Sequence, residues 1–279
     1  MRFTFPRLIS ALLVTGGIAA CSDSGAPAGG AALSFQVSTK ASSPTAAGMA
    51  FSSAPITDGT HTIVLDTVKL VMKEIKFKRA ESSVTTCPDG EGEVADPTGT
   101  SASDGVGDNS DCEELEVGPL LIDLPLDAGV DHAFTVDVTP GTYDKLEFKI
   151  HTPEDEADGG DAFDSSFLTL HPEYAGISIH VVGTYDGTPF VFNSDLDAEQ
   201  EVELSTPLVV DAGTPANVTL KADLDTWFRS AGAVIDPATA NSGGANEEVV
   251  KANIQASIQL FEDENHDGED DSVEGGSHD

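Results

Sequence analysis

The sequence predicts a mainly β fold, an antiparallel β-sandwich with one short helix near its C-terminus. Two observations favour this class. Apolar and polar residues alternate in roughly ten short runs, and turns rich in glycine, proline and aspartate separate those runs. A hydrophobic content of 39% over 279 residues suffices for one sizeable core. An open barrel is the other arrangement that such a pattern fits.

The first residues of the chain have the pattern of an export signal. Arg2 and Arg7 give a positive start, and the apolar run 8–20 that follows is too short to span a membrane. This run leads into Ile18-Ala19-Ala20-Cys21, which fits the lipobox of a lipoprotein. We therefore predict that residues 1–20 are removed and that Cys21 carries a lipid. A plain secretory signal that is cleaved elsewhere is the alternative.

Residues 21–32 are rich in glycine, alanine and serine, which predicts a flexible tether between the lipid and the folded body. Ser22, rather than an aspartate, follows the lipidated cysteine. The lipoprotein sorting pattern that this resembles implies the outer membrane of a Gram-negative cell envelope, with the body on its periplasmic or surface face. The membrane is thus a predicted partner through the lipid anchor.

The chain is strongly acidic. Aspartate and glutamate number 49 against 13 lysines and arginines, which gives a formal net charge of −36. A field of this size excludes nucleic acid and anionic membrane surfaces as electrostatic partners, because both are polyanions. It favours divalent cations and basic surfaces as partners, or solubility in a cation-rich medium where salt screens the self-repulsion.

Cys87 and Cys112 remain as an even pair once Cys21 is assigned to the lipid. An oxidising compartment favours a disulfide between them. This disulfide would close an acidic loop, 87–112, within a predicted β-sandwich domain that spans 33–262. Two metal-binding thiolates are the alternative, but neither a CxxC spacing nor a nearby histidine supports them.

The predicted strands follow one another along this domain. Asp186-Gly187 gives the clearest hairpin signal, because both residue types tolerate a positive φ. Pro140-Gly141 marks a second tight turn. The alternating runs are 33–37, 68–72, 75–78, 115–117, 120–122, 134–138, 143–150, 177–181, 190–192, 202–204 and 218–220.

A basic segment, 69–79, and an acidic segment, 113–117, flank the predicted disulfide. Opposite charges on neighbouring strands stabilise a sheet only slightly, but they set its register. We therefore predict a hairpin between the two segments, and interpret the basic run as a strand face rather than a binding patch. The hairpin pairs Lys76 and Lys78 with Glu114 and Glu116 on its solvent side, and it directs Ile75, Phe77, Leu115 and Val117 to the core.

Residues 246–261 form the one predicted helix. Asn246 suits the N-cap, two glutamates follow it at the positive end, and apolar residues recur at helical spacing from Val250 to Phe261. The same stretch also alternates from Ala252 to Leu260, so a strand is the alternative.

The acidic tail, 263–279, carries the most specific motif of the chain. It resembles a calcium loop of the EF-hand or dockerin type, D-x-N-x-D-G, in which oxygens at fixed positions wrap one ion and a glycine makes the sharp turn. Asp270 departs from the pattern, which has an apolar residue there. A single loop is expected to bind calcium weakly, and a solvated acidic tail is the alternative. The predicted ligands are Asp263, Asn265, Asp267, Glu269, Asp271 and Glu274, with the turn at Gly268.

Other candidate sites are weaker. The acidic loops 89–111 and 154–161 could each gather a cation, although charge runs in loops are usually solvated. No GxSxG, HExxH, phosphate loop or CxxC motif occurs, so we predict that the protein is not an enzyme. Trp227-Phe228 suits the core of a sandwich, or otherwise an aromatic platform for sugar. The alternative function is a carbohydrate-binding or adhesion module that meets a glycan or a protein at the cell surface.

The segments 68–78, 121–124 and 140–146 together resemble the DUF4382-type domain of bacterial lipoproteins, an uncharacterised group. The hairpin 183–187 is similar to segments of the same class of exported proteins, and the turn before Tyr143 resembles that of transthyretin-like and immunoglobulin-like modules. The resemblance implies a β-sandwich and no activity, since function does not follow from such a fold.

Overall fold

The computed structural model of the protein describes residues 31–40, 55–79, 94–95, 114–127, 129–138, 140–155, 160–211 and 215–271. The strands form two main sheets that do not close into a barrel, which confirms the predicted β-sandwich. In these described ranges, no helix is long and apolar enough to cross a membrane.

The secondary structure consists mostly of strands. In chain order they are β1 (Ala31–Thr39), β2 (Ile56–Thr57), β3 (Thr62–Arg79), β4 (Val94–Ala95), β5 (Glu114–Val117), β6 (Leu120–Asp123), β7 (Val130–Val138), β8 (Gly141–Ile150), β9 (Ile179–Tyr185), β10 (Thr188–Ser194), β11 (Ala198–Val210), β12 (Ala216–Ala222), β13 (Arg229–Ser230), β14 (Ala233–Val234) and β15 (Ile258–Glu262). The helices are α1 (Ala162–Leu170) and α2 (Glu247–Ser257), and short 3-10 turns cover Pro172–Tyr174, Leu224–Thr226 and Pro237–Thr239.

The smaller main sheet has the order β15-β12-β1-β7. Its pairs are antiparallel except for β1 with β12, which run parallel. Strand β1 begins at Ala31, slightly before the predicted start of the domain. The larger sheet is built on β3, an 18-residue strand that pairs with β2, β5, β6, β8 and β9.

The predicted pairing of the basic and acidic segments is confirmed. Lys76 of β3 lies opposite Glu116 of β5, and Lys78 lies opposite Glu114. The ammonium groups of both lysines lie near a carboxylate of a third strand: Nζ of Lys76 is 3.8 Å and Nζ of Lys78 is 2.6 Å from a carboxylate oxygen of Glu147 on β8. The basic run is therefore a paired strand face.

The core lies between the two sheets. Strand alternation directs Leu33 and Phe35 of the smaller sheet towards Phe77 and Phe148 of the larger one, and all four are buried. Phe35 stacks on Phe134 with ring centroids 4.8 Å apart. The predicted hairpin between β9 and β10 is also present, with Asp186 at φ 49° and Gly187 at φ 78°.

The prediction for 246–261 is right for its first part and wrong for its last. Residues Glu247–Ser257 are helical, but Ile258–Glu262 form an edge strand of the smaller sheet. Ile258 and Leu260 pair with Ala222 and Leu220, and their side chains are buried in the core. This segment is a strand because β12 lies beside it and provides partners for its backbone hydrogen bonds. Asn246 does not cap the helix with its side chain, whose amide donates instead to Thr239 Oγ1.

Helix α1 was not predicted from the sequence. Asp161 is its N-cap, and one carboxylate oxygen accepts a hydrogen bond of 2.9 Å from the Asp164 N–H. The cap thus comes from an acidic run, 154–161, whose residues 154–155 and 160–161 are described. The other carboxylate oxygen of Asp161 lies 2.6 Å from Lys73 Nζ, so this residue is a structural cap rather than a solvated loop charge.

Several predictions fall on residues outside the described ranges. They are the export segment 1–20, the lipidated Cys21 with most of the tether, both members of the Cys87–Cys112 disulfide, the acidic loop 89–111 apart from β4, and Glu274 at the end of the calcium motif. These remain predictions.

A candidate cation-binding loop and the acidic cavity beside it

The described part of the calcium motif, Asp263–Asp271, folds back over the outer face of the smaller sheet. On that face Gln36 lies opposite Thr219, and Ser38 lies opposite Lys221. Such polar residues normally face water, yet Gln36, Ser38 and Thr219 are all buried. The loop that covers them is therefore part of the folded body and not a free tail.

Asp263 anchors this loop. It follows directly after β15 and is fully buried. Its carboxylate accepts hydrogen bonds from the Thr219 hydroxyl at 2.8 Å, from the Asp267 N–H at 3.0 Å and from the Gly268 N–H at 2.9 Å. A buried carboxylate is stable only with such a set of donors, so position 1 of the motif fixes both the turn and its attachment to the sheet.

The next polar residues of the motif each turn the backbone. Asn265 Oδ1 accepts from the Asp267 N–H at 2.9 Å, and Asp267 Oδ1 accepts from the Glu269 N–H at 2.8 Å. These are Asx-turns, in which a short polar side chain bonds to the backbone two residues ahead. The side-chain oxygens at positions 1, 3 and 5 therefore follow the inside of one continuous turn.

Gly268 occupies the sharp bend that the motif assigns to glycine. Its φ is 78°, in the left-handed region, and a Cβ placed there would lie 2.9 Å from Val130 Cγ2. Both the backbone conformation and the close approach to the sheet therefore require a residue without a side chain.

Lys221 supplies a positive charge to one side of the loop. Its ammonium donates to the Gly268 carbonyl at 2.9 Å and lies 2.8 Å from the Glu269 carboxylate. The side chain of Glu269, at motif position 7, is thus directed to the sheet. The backbone carbonyl is the atom that a calcium loop uses at this position, and that use leaves the Glu269 side chain free to pair.

The far end of the loop closes on its beginning. The Glu264 N–H donates to Asp271 Oδ2 at 2.6 Å, and the Asp271 N–H donates to the Glu262 carbonyl at 3.4 Å. Burial raises the pKa of the Glu262 carboxyl to about 7, and the negative charges of Glu264, Asp271 and Asp270 add to this effect. The acidic side chains of this region are therefore close enough to one another that their charges disfavour ionisation of Glu262.

The described donor set fits calcium in part. Positions 1, 3 and 5 provide the hard oxygens that the ion prefers, and position 6 is the required glycine. Among the described residues, however, no group of three or more histidine, cysteine, aspartate or glutamate side chains is placed to hold a metal ion. Position 12, Glu274, lies outside the described ranges, so the predicted ligand set is only partly described.

An open cavity of about 740 Å³ lies beside the loop, and we call it the acidic cavity. Ser34 of β1, with its cross-strand neighbours Asn217 and Thr135, belongs to its wall on the sheet. Its ionisable lining groups are the carboxylates of Asp211, Glu262 and Glu264 and the imidazoles of His132 and His266, and its apolar lining groups are Val209, Pro215 and Ala216. The sequence patterns did not predict this cavity, because its walls come from both sheets and from the loop.

Two histidines at this cavity are hydrogen-bonded to polar side chains of the smaller sheet. His132 Nε2 lies 2.8 Å from Thr135 Oγ1, and the Gln36 amide is hydrogen-bonded to His266 Nδ1. His266 has a φ of 60°, which reflects the tight turn of the loop around it. Positions 2 and 4 of the motif, Glu264 and His266, therefore line the cavity, whereas positions 1, 3 and 5 bond to the backbone of the loop.

Trp227 and Phe228 lie in the core, and both are fully buried. Trp227 Nε1–H donates to Ser257 Oγ at 2.7 Å, and the Phe228 ring meets Phe192 edge to face at 5.2 Å. The core assignment of this pair is confirmed, and the pair does not form an exposed sugar platform.

Comparisons of the chain with models of protein families, with curated proteins and with solved structures found no match.

Proposed function

We propose that this protein is a non-enzymatic lipoprotein of the cell envelope, anchored through Cys21, whose C-terminal loop binds calcium weakly. The observation that carries the calcium assignment is the buried Asp263 carboxylate, which accepts from the backbone of motif positions 5 and 6 and bends the loop around Gly268. Glu274 completes the ligand set in this proposal.

The position of the loop supports a stabilising role for the ion. Asp263 is attached to Thr219, and Lys221 holds the Gly268 carbonyl, so the loop and the smaller sheet are joined at two points. An ion that binds only the folded loop must stabilise the whole domain by linkage, by about 1.4 kcal/mol at ten times its Kd. We expect the Kd of the loop for calcium to be near the millimolar range, as in extracellular calcium modules.

The test is thermal unfolding of the full-length protein, purified in detergent, in calcium, in chelator, and in magnesium at equal ionic strength. Calcium is expected to raise Tm by roughly 3 °C for a chain of this size. Glu274→Gln and Asp267→Asn should each abolish the rise. Asp267→Asn retains a side-chain oxygen that can accept from Glu269, so it removes the charge while keeping the turn.

Asp270→Asn is the matched control, since it removes the same charge at position 8, which is not a ligand position. It should retain the calcium response. Equal shifts with calcium and magnesium would show only screening of the acidic surface, and a response that survives Glu274→Gln together with Asp267→Asn would place the ion elsewhere. Either result would overturn the calcium proposal.

The lipid anchor has an independent test. Cells labelled with a radioactive fatty acid should yield labelled protein in the membrane fraction. Cys21→Ala should remove the label and leave the export segment attached, because the cysteine is both the processing and the modification site. Labelled protein from the Cys21→Ala variant would contradict the assignment.

A further inference from the structure

We propose that the acidic cavity binds a small aliphatic amine that carries two or more ammonium groups. This site does not use the calcium ligands of the proposed function. Glu264 and His266 line the cavity from motif positions 2 and 4, whereas the calcium ligands of the proposed function occupy other positions.

The negative charge of the cavity favours a cationic ligand. Most of the chain's basic groups pair with nearby acids, as Lys73 does with Asp161 and Lys251 does with Asp195. The carboxylates of Asp211 and Glu264 form no such pair with any described residue. No lysine or arginine is found among the described lining residues. A cationic ligand would neutralise carboxylates that no described lysine or arginine pairs with.

The rest of the lining favours an organic amine over a bare metal ion. Val209 is 59% exposed and shares the wall with Pro215 and Ala216. Methylene groups would cover this apolar wall. Ammonium N–H groups would donate to polar acceptors such as Ser34 and Asn217.

The topology accounts for two ammonium groups. Asp211 follows β11, a strand of the larger sheet, whereas Glu262 and Glu264 lie at the end of β15, an edge strand of the smaller sheet. The carboxylates thus belong to different walls, and one molecule with separated charges can meet both. A volume of about 740 Å³ is suitable for a single small ligand.

The experiment is isothermal titration calorimetry of the full-length protein in detergent and EGTA, a chelator that binds calcium far more strongly than magnesium, with spermidine as the probe. Butylamine and magnesium chloride at equal ionic strength are the comparison ligands. We expect one spermidine per chain, weaker binding of butylamine and no comparable binding of magnesium. Asp211→Asn and Glu264→Gln should each weaken spermidine binding about fivefold, the upper range for a partly exposed charge pair.

Two further variants make the result decisive. Val209→Lys places an ammonium group on the apolar wall and should abolish binding. Glu173→Gln removes an exposed carboxylate in the 3-10 turn Pro172–Tyr174, which does not line the cavity, and should leave binding unchanged. Asp211, Glu264 and Val209 are all exposed, so folding should be preserved, and thermal unfolding checks this.

Equal losses in Glu173→Gln and the cavity variants would indicate diffuse attraction to the acidic surface and overturn the proposal. Equal affinity for magnesium and spermidine, or the absence of heat with spermidine, would also overturn it. Because the titration is done in chelator, none of these outcomes depends on calcium binding by the loop.

Discussion

The hydroxyl of Thr219 donates a hydrogen bond of 2.8 Å to the carboxylate of Asp263, and both side chains are completely buried. Thr219 lies on the outer face of a central strand, and Asp263 opens the loop that covers this face. The pair therefore joins the C-terminal segment to the sandwich at a point that water does not reach.

Removing this hydroxyl should destabilise the whole domain. Thr219→Val keeps the shape of the side chain but leaves the buried carboxylate with one donor fewer. Hydrogen bonds to charged groups contribute about 2 kcal/mol, so the free energy of unfolding in urea should fall by that amount. Thr219→Ser retains the donor and is the control. Equal stability of the valine and serine variants would contradict this account.

Gly268 provides a second test of the attachment. Gly268→Ala adds a Cβ at φ 78° and 2.9 Å from Val130, so it combines left-handed strain with a steric clash. Gly187→Ala is the matched control, because Gly187 has the same φ but a Cβ placed there would have no neighbour within 4 Å. Left-handed strain costs each variant about 1 kcal/mol.

The two glycine variants should differ in urea unfolding. Gly268→Ala should be the less stable one, because only there must the loop move away from the sheet. Equal losses would show that strain alone matters at both positions, and that the loop does not pack tightly on Val130 and Ser38.

The sequence predicts the sandwich but not the arrangement at its C-terminus. The alternation of apolar and polar residues and the turn residues are local signals. They therefore predicted the β9–β10 hairpin and the pairing of Lys76 with Glu116 correctly. The strand at Ile258–Glu262 depends on the exposed edge of β12, which lies far away in the chain. Short apolar runs fit either helix or strand until such a partner is known.

The loop of the calcium motif, 263–271, is the second example. Its ligand spacing predicted a calcium loop, with a solvated acidic tail as the alternative, and neither prediction placed it on the sheet. Three polar residues of distant strands, Gln36, Ser38 and Thr219, are buried beneath it. Polar residues on alternate strand positions normally indicate solvent, and only the three-dimensional contact shows that they are covered. Helix α1 was missed for a related reason, since its Asp161 cap lies in an acidic run that looks like a solvated loop.

The loop around Asp58 should make stability depend on acidic pH. Hydrogen bonds from the N–H groups of His61, Val234 and Thr60 lower the pKa of Asp58 from 3.8 to about 2. A carboxyl with a lowered folded-state pKa contributes stability that is present above pH 3.8 and is lost as the pH falls towards 2.

The comparison is urea unfolding of the wild-type protein and Asp58→Asn across this range. The wild-type advantage should be largest above about pH 4 and should shrink towards about pH 2, because protonation weakens the same acceptor that the substitution alters. A constant difference between the two proteins over the whole range would exclude Asp58 as the titrating group.

The predicted Cys87–Cys112 disulfide lies in the chain segment between the end of β3 and the start of β5. Lys78 lies opposite Glu114, so the chain leaves β3 and enters β5 at the same end of the sheet. The folded ladder therefore already holds the two ends of the intervening segment together, and a disulfide there would stabilise chiefly by restricting the unfolded chain. The loop-entropy estimate for a closed loop of this size is about 3 kcal/mol.

Cys87→Ser/Cys112→Ser should lower the free energy of unfolding by about that amount, and reduction of the wild-type protein should lower it equally. Cys21 is left intact, so the lipid anchor remains in both proteins. The mass of the oxidised wild-type chain should also rise by about two hydrogens on reduction, as expected for one disulfide. If reduction changes neither mass nor stability, the two cysteines are free thiols. The hairpin then depends on its cross-strand pairs alone, such as Ile75 opposite Val117, for its register.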